Sequence, residues 1–301
     1  MGRPDKIIRA LRVSTRASRL CLHLLWGLML ASWLRWRCGP LWFRRPGGEA
    51  RRRRWMQQLA VVLGLRIQTS GRAMDTAGLL VANHISWLDA VAISAAVPTT
   101  FVAKDDVRRW PVIGTLATRS GTVFLRRANL GVLNVAIDTL AEVIRRGQRV
   151  TVFPEGTTGP GTQLNDFRRA LYQSVVNAGA PVQAVAVRYL RNGSPDTVAP
   201  FIGDDEFVPH LLRIMAEPFT DVRLDFQRPL AGGDRRTLAA ATRAQISVAL
   251  GISQRTRPGA GEPAPAARLG AGVKAPSTDA TTTAATAPMF PRRIFVAPNS
   301  R

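Results

Sequence analysis

Between about Trp55 and Arg255 the chain alternates short β-like runs with stretches of helical period, a pattern that specifies an α/β domain rather than an all-helical or all-β one. The strand candidates are Gly78 to Ala82, Thr100 to Ala103, Gly121 to Leu125, Arg149 to Phe153, Val182 to Tyr189 and Val222 to Phe226. Amphipathic stretches from Leu130 to Arg146 and from Asp166 to Ala178, and a last helix from about Arg235 to Leu250, separate or follow them. From Thr256 onward Pro, Ala, Gly and Thr dominate, so residues 256–301 are expected to be a disordered tail. The whole chain of 301 residues is long enough to bury a sizeable core.

Ahead of this domain lies a segment of different character, residues 1–54, with fourteen Arg and Lys against Asp5 and Glu49. Its net charge of +12 is more than half of the +22 carried by the whole chain. It also holds an uncharged apolar stretch, Leu20 to Leu34, whose fifteen residues span about 22 Å as a helix. That is shorter than a hydrocarbon core of about 30 Å, so an interfacial or re-entrant helix is expected rather than a spanning one. Trp26, Trp33, Trp36, Trp42 and Trp55 fall in or just after the stretch, where rings and snorkelling arginines suit a headgroup layer. The expected role is a membrane-surface anchor. A cleaved signal peptide, a transit peptide and a buried helix compete with it; Arg35 and Arg37 after the apolar run, with no small-x-small site, count against the first. Nucleic-acid binding would need the arginines but not the apolar tryptophan-rich stretch beside them.

Composition removes several other classes. Cys21 and Cys38 cannot build a disulfide framework, and His23, His84 and His210 lie too far apart for any Cys/His zinc spacing, so no metal site is expected. No uninterrupted apolar run reaches the roughly 18 to 20 residues of a bilayer span, which argues against a polytopic membrane protein.

The segment Val81-Ala-Asn-His-Ile-Ser-Trp-Leu-Asp89 places His84 on a loop between a strand and a helix expected to begin at Ser86. Two readings of Asp89 stand side by side. Ser86 and Asp89 fit a capping box, in which the two side chains satisfy free backbone N–H groups. Alternatively the first helical turn carries Asp89 back over His84, where its carboxylate accepts the imidazole N–H and leaves the other ring nitrogen as a base able to take the proton of a hydroxyl. His23 and His210 read as packing residues. A second segment, Phe153-Pro-Glu-Gly-Thr-Thr-Gly-Pro-Gly161, ends a strand in a loop of exposed N–H groups, with Glu155 at the carboxyl end where open α/β sheets place their binding crevice. A plain Pro/Gly turn is the competing reading.

His84-x4-Asp89 followed by Phe153-Pro-Glu-Gly resembles the glycerolipid acyltransferases of the lysophosphatidic acid acyltransferase type. Phe101-Val-Ala-Lys104, Trp110-Pro-Val-Ile-Gly114 and Gly121-Thr-Val-Phe-Leu-Arg-Arg127 are similar to the family's middle block, and Pro181 to Val187 to its fourth. The resemblance covers about residues 55–250. It implies a mixed, largely parallel sheet flanked by helices. It also implies transfer of an acyl chain from acyl carrier protein or acyl-CoA to a lysophospholipid hydroxyl, most simply 1-acyl-sn-glycerol-3-phosphate, in phospholipid biosynthesis, without cofactor, metal or acyl-enzyme. The sequence itself disfavours a covalent route, since both cysteines lie in the anchor and no G-x-S-x-G elbow occurs.

On that basis His84 is expected as general base and Asp89 as its orienting partner. Lys104 and Arg127 are expected to hold the acceptor head group or donor phosphates, and Glu155, Gly156 and Thr157 to position the acceptor's polar backbone. Two positions depart from the family. Thr158 stands where an Arg often follows Glu-Gly-Thr in relatives that take lysophosphatidic acid, which makes a lyso-ornithine lipid an alternative acceptor. Arg126 precedes Arg127 where an acidic or neutral residue is usual, and strand alternation lets only one of the two face the site. The expected partners are the bilayer, a lysolipid and a thioester donor but no nucleic acid, and the expected location is the cytoplasmic face of the bacterial inner membrane, as a monotopic protein. The rival class is a non-enzymatic basic protein that coats anionic membrane or binds nucleic acid, with His84 and Asp89 only a loop cap.

Overall fold

The computed structural model describes residues 3–39, 46–110, 112–125 and 130–252; the expectations for Trp42, Arg126, Arg127 and the tail beyond residue 252 lie outside the described residues. In chain order the elements are α1 (Arg3–Cys38), α2 (Pro46–Leu63), β1 (Leu65–Ser70), β2 (Gly78–Ala82), α3 (Leu88–Ala96), β3 (Thr100–Lys104), α4 (Ile113–Arg119), β4 (Val123–Leu125), α5 (Leu130–Arg145), β5 (Arg149–Val152), α6 (Gln173–Ala178), β6 (Val182–Arg191), β7 (Ser194–Pro195), α7 (Phe207–Ala216), β8 (Thr220–Phe226) and α8 (Arg235–Leu250).

The strands form one sheet in the order β1-β8-β6-β2-β5-β3-β4, with β7 added to β6. β2 runs parallel to β5 and β6, β3 parallel to β4 and β5, and β1 parallel to β8, while β6 meets β8 and β7 antiparallel. β2 is central and every one of its residues is buried, as a strand covered by helices on both faces must be. Its alternation divides the core: Leu80 and Ala82 join Leu59, Leu63, Leu88, Ile93 and Ile214 on one face, and Leu79 and Val81 join Leu140, Ile144, Tyr172, Leu238 and Ile246 on the other.

α1 extends beyond the apolar stretch Leu20 to Leu34 at both ends. It runs unbroken for 36 residues, about 54 Å, and by length and composition it suffices to cross a membrane. The arginines before the apolar stretch are good helix formers, and they find acceptors at the end of α7. Arg12 donates to the carbonyl of Ala216 at 2.6 Å, Arg16 to those of Met215 at 3.1 Å and Glu217 at 2.6 Å, and Arg9 pairs with the Glu217 carboxylate at 2.7 Å. Cations thereby satisfy the free carbonyls at the negative end of α7. Farther along, His23 stacks on Trp55 of α2 with centroids 4.5 Å apart, and a Cβ at Gly27 would lie 2.7 Å from that indole, so only glycine admits the ring there. Leu22, Leu25, Trp26, Met29, Trp33 and Trp36 remain exposed.

The boundary expected at residues 54/55 falls inside α2, whose Leu59 and Leu63 enter the core, and Met1–Arg255 forms one compact unit. The helix expected over Asp166 to Ala178 is shorter, a 3-10 turn at Ala170–Tyr172 followed by α6. Residues just before it are held by the preceding loop instead, with Asn165 N–H on Glu155 at 2.9 Å and Arg168 N–H on the Pro154 carbonyl at 2.9 Å. β1 was not anticipated. α8 occupies the expected range, capped by Asp234, which accepts from the N–H groups of Arg236 and Thr237, and closed by Gly251 in the left-handed region.

Candidate active site

The site lies where β2 and β5, adjacent and parallel, both end. β2 stops at Ala82 because Asn83 substitutes a side chain for the backbone ladder. Its amide oxygen accepts from Val187 N–H at 2.7 Å and its amide nitrogen donates to the Val187 carbonyl at 3.0 Å. The next residue, His84, is thus turned out of the sheet. Its N–H donates to Glu155 Oε1 at 2.8 Å, and its carbonyl accepts from Gly159 N–H at 2.8 Å, so the loop after β5 fastens its backbone on both sides.

The ring of His84 stacks on Phe153 with centroids 4.0 Å apart, and its Nδ1 lies 2.8 Å from Asp89 Oδ2. Asp89 is fully buried while the His84 side chain is 21% exposed. Oδ2 also accepts from the N–H groups of Ile85 at 2.8 Å and Ser86 at 3.0 Å, and Oδ1 accepts from the Tyr189 hydroxyl at 2.7 Å. With donors converging on both oxygens, the carboxylate acts as an acceptor towards the ring, which assigns the proton to Nδ1 and leaves the Nε2 lone pair free. Both sequence readings of Asp89 are therefore combined in one carboxylate. The capping box itself is corrected: α3 begins at Leu88 rather than Ser86, its N-cap is Trp87, and the buried Ser86 hydroxyl has no hydrogen-bond partner among the described residues. Half of the box is present, since Asp89 Oδ2 accepts from the Ser86 N–H at 3.0 Å, and the half that the Ser86 hydroxyl would supply is not.

Glu155, expected with Gly156 and Thr157 to position the acceptor's polar backbone, is buried, with Oε1 on the His84 N–H and Oε2 on the Asn165 N–H. Burial pushes its carboxyl above the usual carboxylate range, and the two N–H groups pull it back in part. Its contribution is to hold the His84 loop. Gly156 has φ +71°, and a Cβ there would lie 2.7 Å from the guanidinium carbon of Arg168, so the glycine both turns the loop and admits that cation. Thr157 is exposed beside it. Thr158 donates its hydroxyl to the Phe201 carbonyl. Lys104 closes β3, its side chain being outside the described residues, as Arg127 is entirely.

The structure thus brings His84, Asp89, Glu155, Gly156 and Thr157 to one end of the sheet. Sequence reasoning missed Asn83, Arg168 and Tyr189. A polar residue closing an otherwise apolar strand was the available signal for Asn83, and the parity of Val185, Val187 and Tyr189 placed the phenol on the α3 face. His210 packs as expected. It accepts the Trp87 indole N–H at 3.0 Å, its other nitrogen lies 3.2 Å from the Pro200 carbonyl, and burial holds its pKa below the ordinary histidine value.

Residues 64–188 match the family model described as Acyltransferase. The lyso-ornithine lipid O-acyltransferase of Pseudomonas aeruginosa is 38% identical over 248 residues, covering 80% of this chain and 94% of that protein. The 1-acyl-sn-glycerol-3-phosphate acyltransferase of Neisseria meningitidis is 36% identical over 167 residues, 56% of this chain and 66% of that one. The crystal structure of the 1-acyl-sn-glycerophosphate acyltransferase PlsC from Thermotoga maritima superposes with a TM-score of 0.58 at 16% identity, covering 83% of this chain and 99% of that one, which shows a shared fold. The chain belongs to the acyltransferase family and is an O-acyltransferase.

Proposed function

We propose that the chain transfers an acyl group from acyl carrier protein or CoA to the free hydroxyl of a lysophospholipid, 1-acyl-sn-glycerol-3-phosphate, giving phosphatidic acid. The observation that carries this reading is the His84 ring, held through Nδ1 by a buried carboxylate with its other nitrogen free in a partly exposed site. The acceptor hydroxyl gives its proton to Nε2 as its oxygen attacks the thioester carbonyl, and Asp89 stabilises the imidazolium that forms. The tetrahedral adduct then expels the thiolate, which takes the proton back from the ring. No acyl-enzyme and no metal or cofactor takes part. Lys104 and Arg127 hold the acceptor head group or the donor phosphates. Arg168, over Gly156 at the same loop, adds a cation beside the site.

A lyso-ornithine lipid acceptor is the second reading. Thr158 stands where an arginine often follows Glu-Gly-Thr, and its hydroxyl is engaged with Phe201. The similarity to the lyso-ornithine lipid enzyme also extends over 94% of that protein. The exposed apolar residues of α1 and the basic charge of residues 1–54 support attachment to an anionic membrane. Because α1 is docked on α7 and α2, it lies along the domain, which favours a monotopic protein on the cytoplasmic face of the bacterial inner membrane. The test is purified protein with labelled acyl-carrier protein and acyl-CoA, offered each lysolipid separately. Phosphatidic acid as the main product supports the first reading, product from lyso-ornithine lipid alone supports the second, and no acylation of either refutes both.

A further inference from the structure

We infer that Tyr189 is a positioning residue for His84: its hydroxyl pins the Asp89 carboxylate and thereby sets the orientation and basicity of the imidazole. The inference rests on the general-base reading of His84 proposed above.

Among the described residues Asp89 Oδ2 carries three donors, from His84, Ile85 and Ser86, whereas Oδ1 has one, the Tyr189 hydroxyl at 2.7 Å. Both residues are buried, Asp89 at 0% and Tyr189 at 3% exposure, so water cannot replace the phenol. Without it a buried carboxylate oxygen is left unpaired and the group is free to turn about its own axis, which disturbs the three bonds on Oδ2. Two residues earlier on the same strand face, Val187 pairs through its backbone with Asn83. β6 therefore grips the chain on both sides of His84, at Asn83 before it and at Asp89 after it.

The phenol serves as a donor and not as a proton source. Burial first, and then the charge of Asp89, push its pKa well above the ordinary tyrosine value, so it stays neutral. Among the described residues the other charged groups facing this cluster are Glu155, from the loop after β5, and Asp196, after β7. Glu155 bonds the backbone N–H of His84 rather than its ring, and Asp196 is paired with Arg191 at 2.8 Å. Tyr189 is thus the side chain through which the rest of the fold acts on the dyad's carboxylate. Its O–H disperses the charge of Asp89. Removing it concentrates that charge on the side facing the ring, so the variant favours the protonated imidazole.

The experiment compares full-length native protein with Tyr189→Phe, using acyl-CoA and whichever of the two acceptors the native protein turns over. A kcat lower by about 10- to 100-fold is expected, with both KM values within about twofold. The acid limb of kcat/KM is expected to move up by about half to one pH unit. In a His84→Ala background the same substitution should change the residual kcat by less than about twofold, because the imidazole it acts through is gone. Losses that multiply in the double variant, or an acid limb that does not move, overturn the inference. If Tyr189→Phe does not fold, 3-fluorotyrosine at position 189 keeps the shape and strengthens the donor, so the acid limb must move down; an unmoved limb again overturns it. His84→Ala run alongside keeps the two claims apart. Near-native His84→Ala defeats the general-base reading, whereas an inactive His84→Ala with unchanged Tyr189→Phe defeats only the role of Tyr189.

Discussion

Replacing Asp89 by Asn removes one charge from the site and leaves its shape. Among the described residues three donors converge on Asp89 Oδ2 and one on Oδ1. The amide therefore settles with its oxygen towards His84, Ile85 and Ser86 and its NH2 towards Tyr189, whose hydroxyl accepts as readily as it donates. The start of α3 and the His84 loop persist. The attraction between carboxylate and imidazolium disappears, and only while the ring is protonated during the reaction. At a charge separation of about 4 Å and an effective dielectric of about 20, that attraction is about 4 kcal/mol. Water reaching the His84 side chain, 21% exposed, screens part of it. A net loss of about 2–4 kcal/mol corresponds to a kcat about 30- to 1000-fold lower, with the acceptor KM little changed. Initial rates of thiol release from acyl-CoA, with far- and near-UV circular dichroism to verify the fold, measure this. A folded Asp89→Asn protein within about threefold of the native kcat would refute the pairing of charge with catalysis.

Gly156→Ala combines a positive φ with a Cβ 2.7 Å from the Arg168 guanidinium, and is expected to destabilise by about 1–2 kcal/mol, a melting temperature about 2–8 °C lower; an unchanged melting temperature would count against it. Serine at Leu22, Leu25, Trp26 and Met29 removes exposed apolar surface from α1 without touching its arginines, so binding to anionic vesicles should survive low salt and be lost at high salt, where the native protein stays bound in sedimentation assays. Burial holds the His210 pKa below 6.5, so the unfolded chain takes up a proton that the folded protein resists. Stability contributed by neutral His210 is present above about pH 6.5 and is lost as pH falls through that value, with a slope of up to about 1.4 kcal/mol per pH unit. His210→Leu should lower the melting temperature at pH 7.5, where its two hydrogen bonds are lost, yet flatten the decline between pH 7.5 and 5; an equally steep decline would contradict this.

What the sequence disclosed and what it withheld divide on physical lines. β2, with five consecutive apolar residues and every one buried, and α8, with an Asp cap, helical period and closing glycine, are written in local chemistry. β1 escaped because Leu65 and Ile67 alternate with Arg66, Gln68 and exposed Thr69 and Ser70 on an edge strand, leaving a weak apolar signal. The length of α1 was hidden by charge: Arg9, Arg12 and Arg16 look like the end of an apolar segment until α7 supplies their acceptors 199 or more residues away. The same distance in sequence concealed Tyr189, which is 100 residues from Asp89. His84 and Asp89, five apart, were legible because their contact is local. Glu155 was recognised as belonging to the site, but spacing could not show that its carboxylate turns inward to the His84 backbone 71 residues earlier.

Turnover by purified, folded His84→Ala bears most directly on the chemistry. A positioned general base contributes about 100- to 10,000-fold, so if His84 Nε2 accepts the hydroxyl proton as proposed, acyl transfer should fall by that factor while lysolipid binding persists. Near-native turnover by His84→Ala would contradict the mechanism.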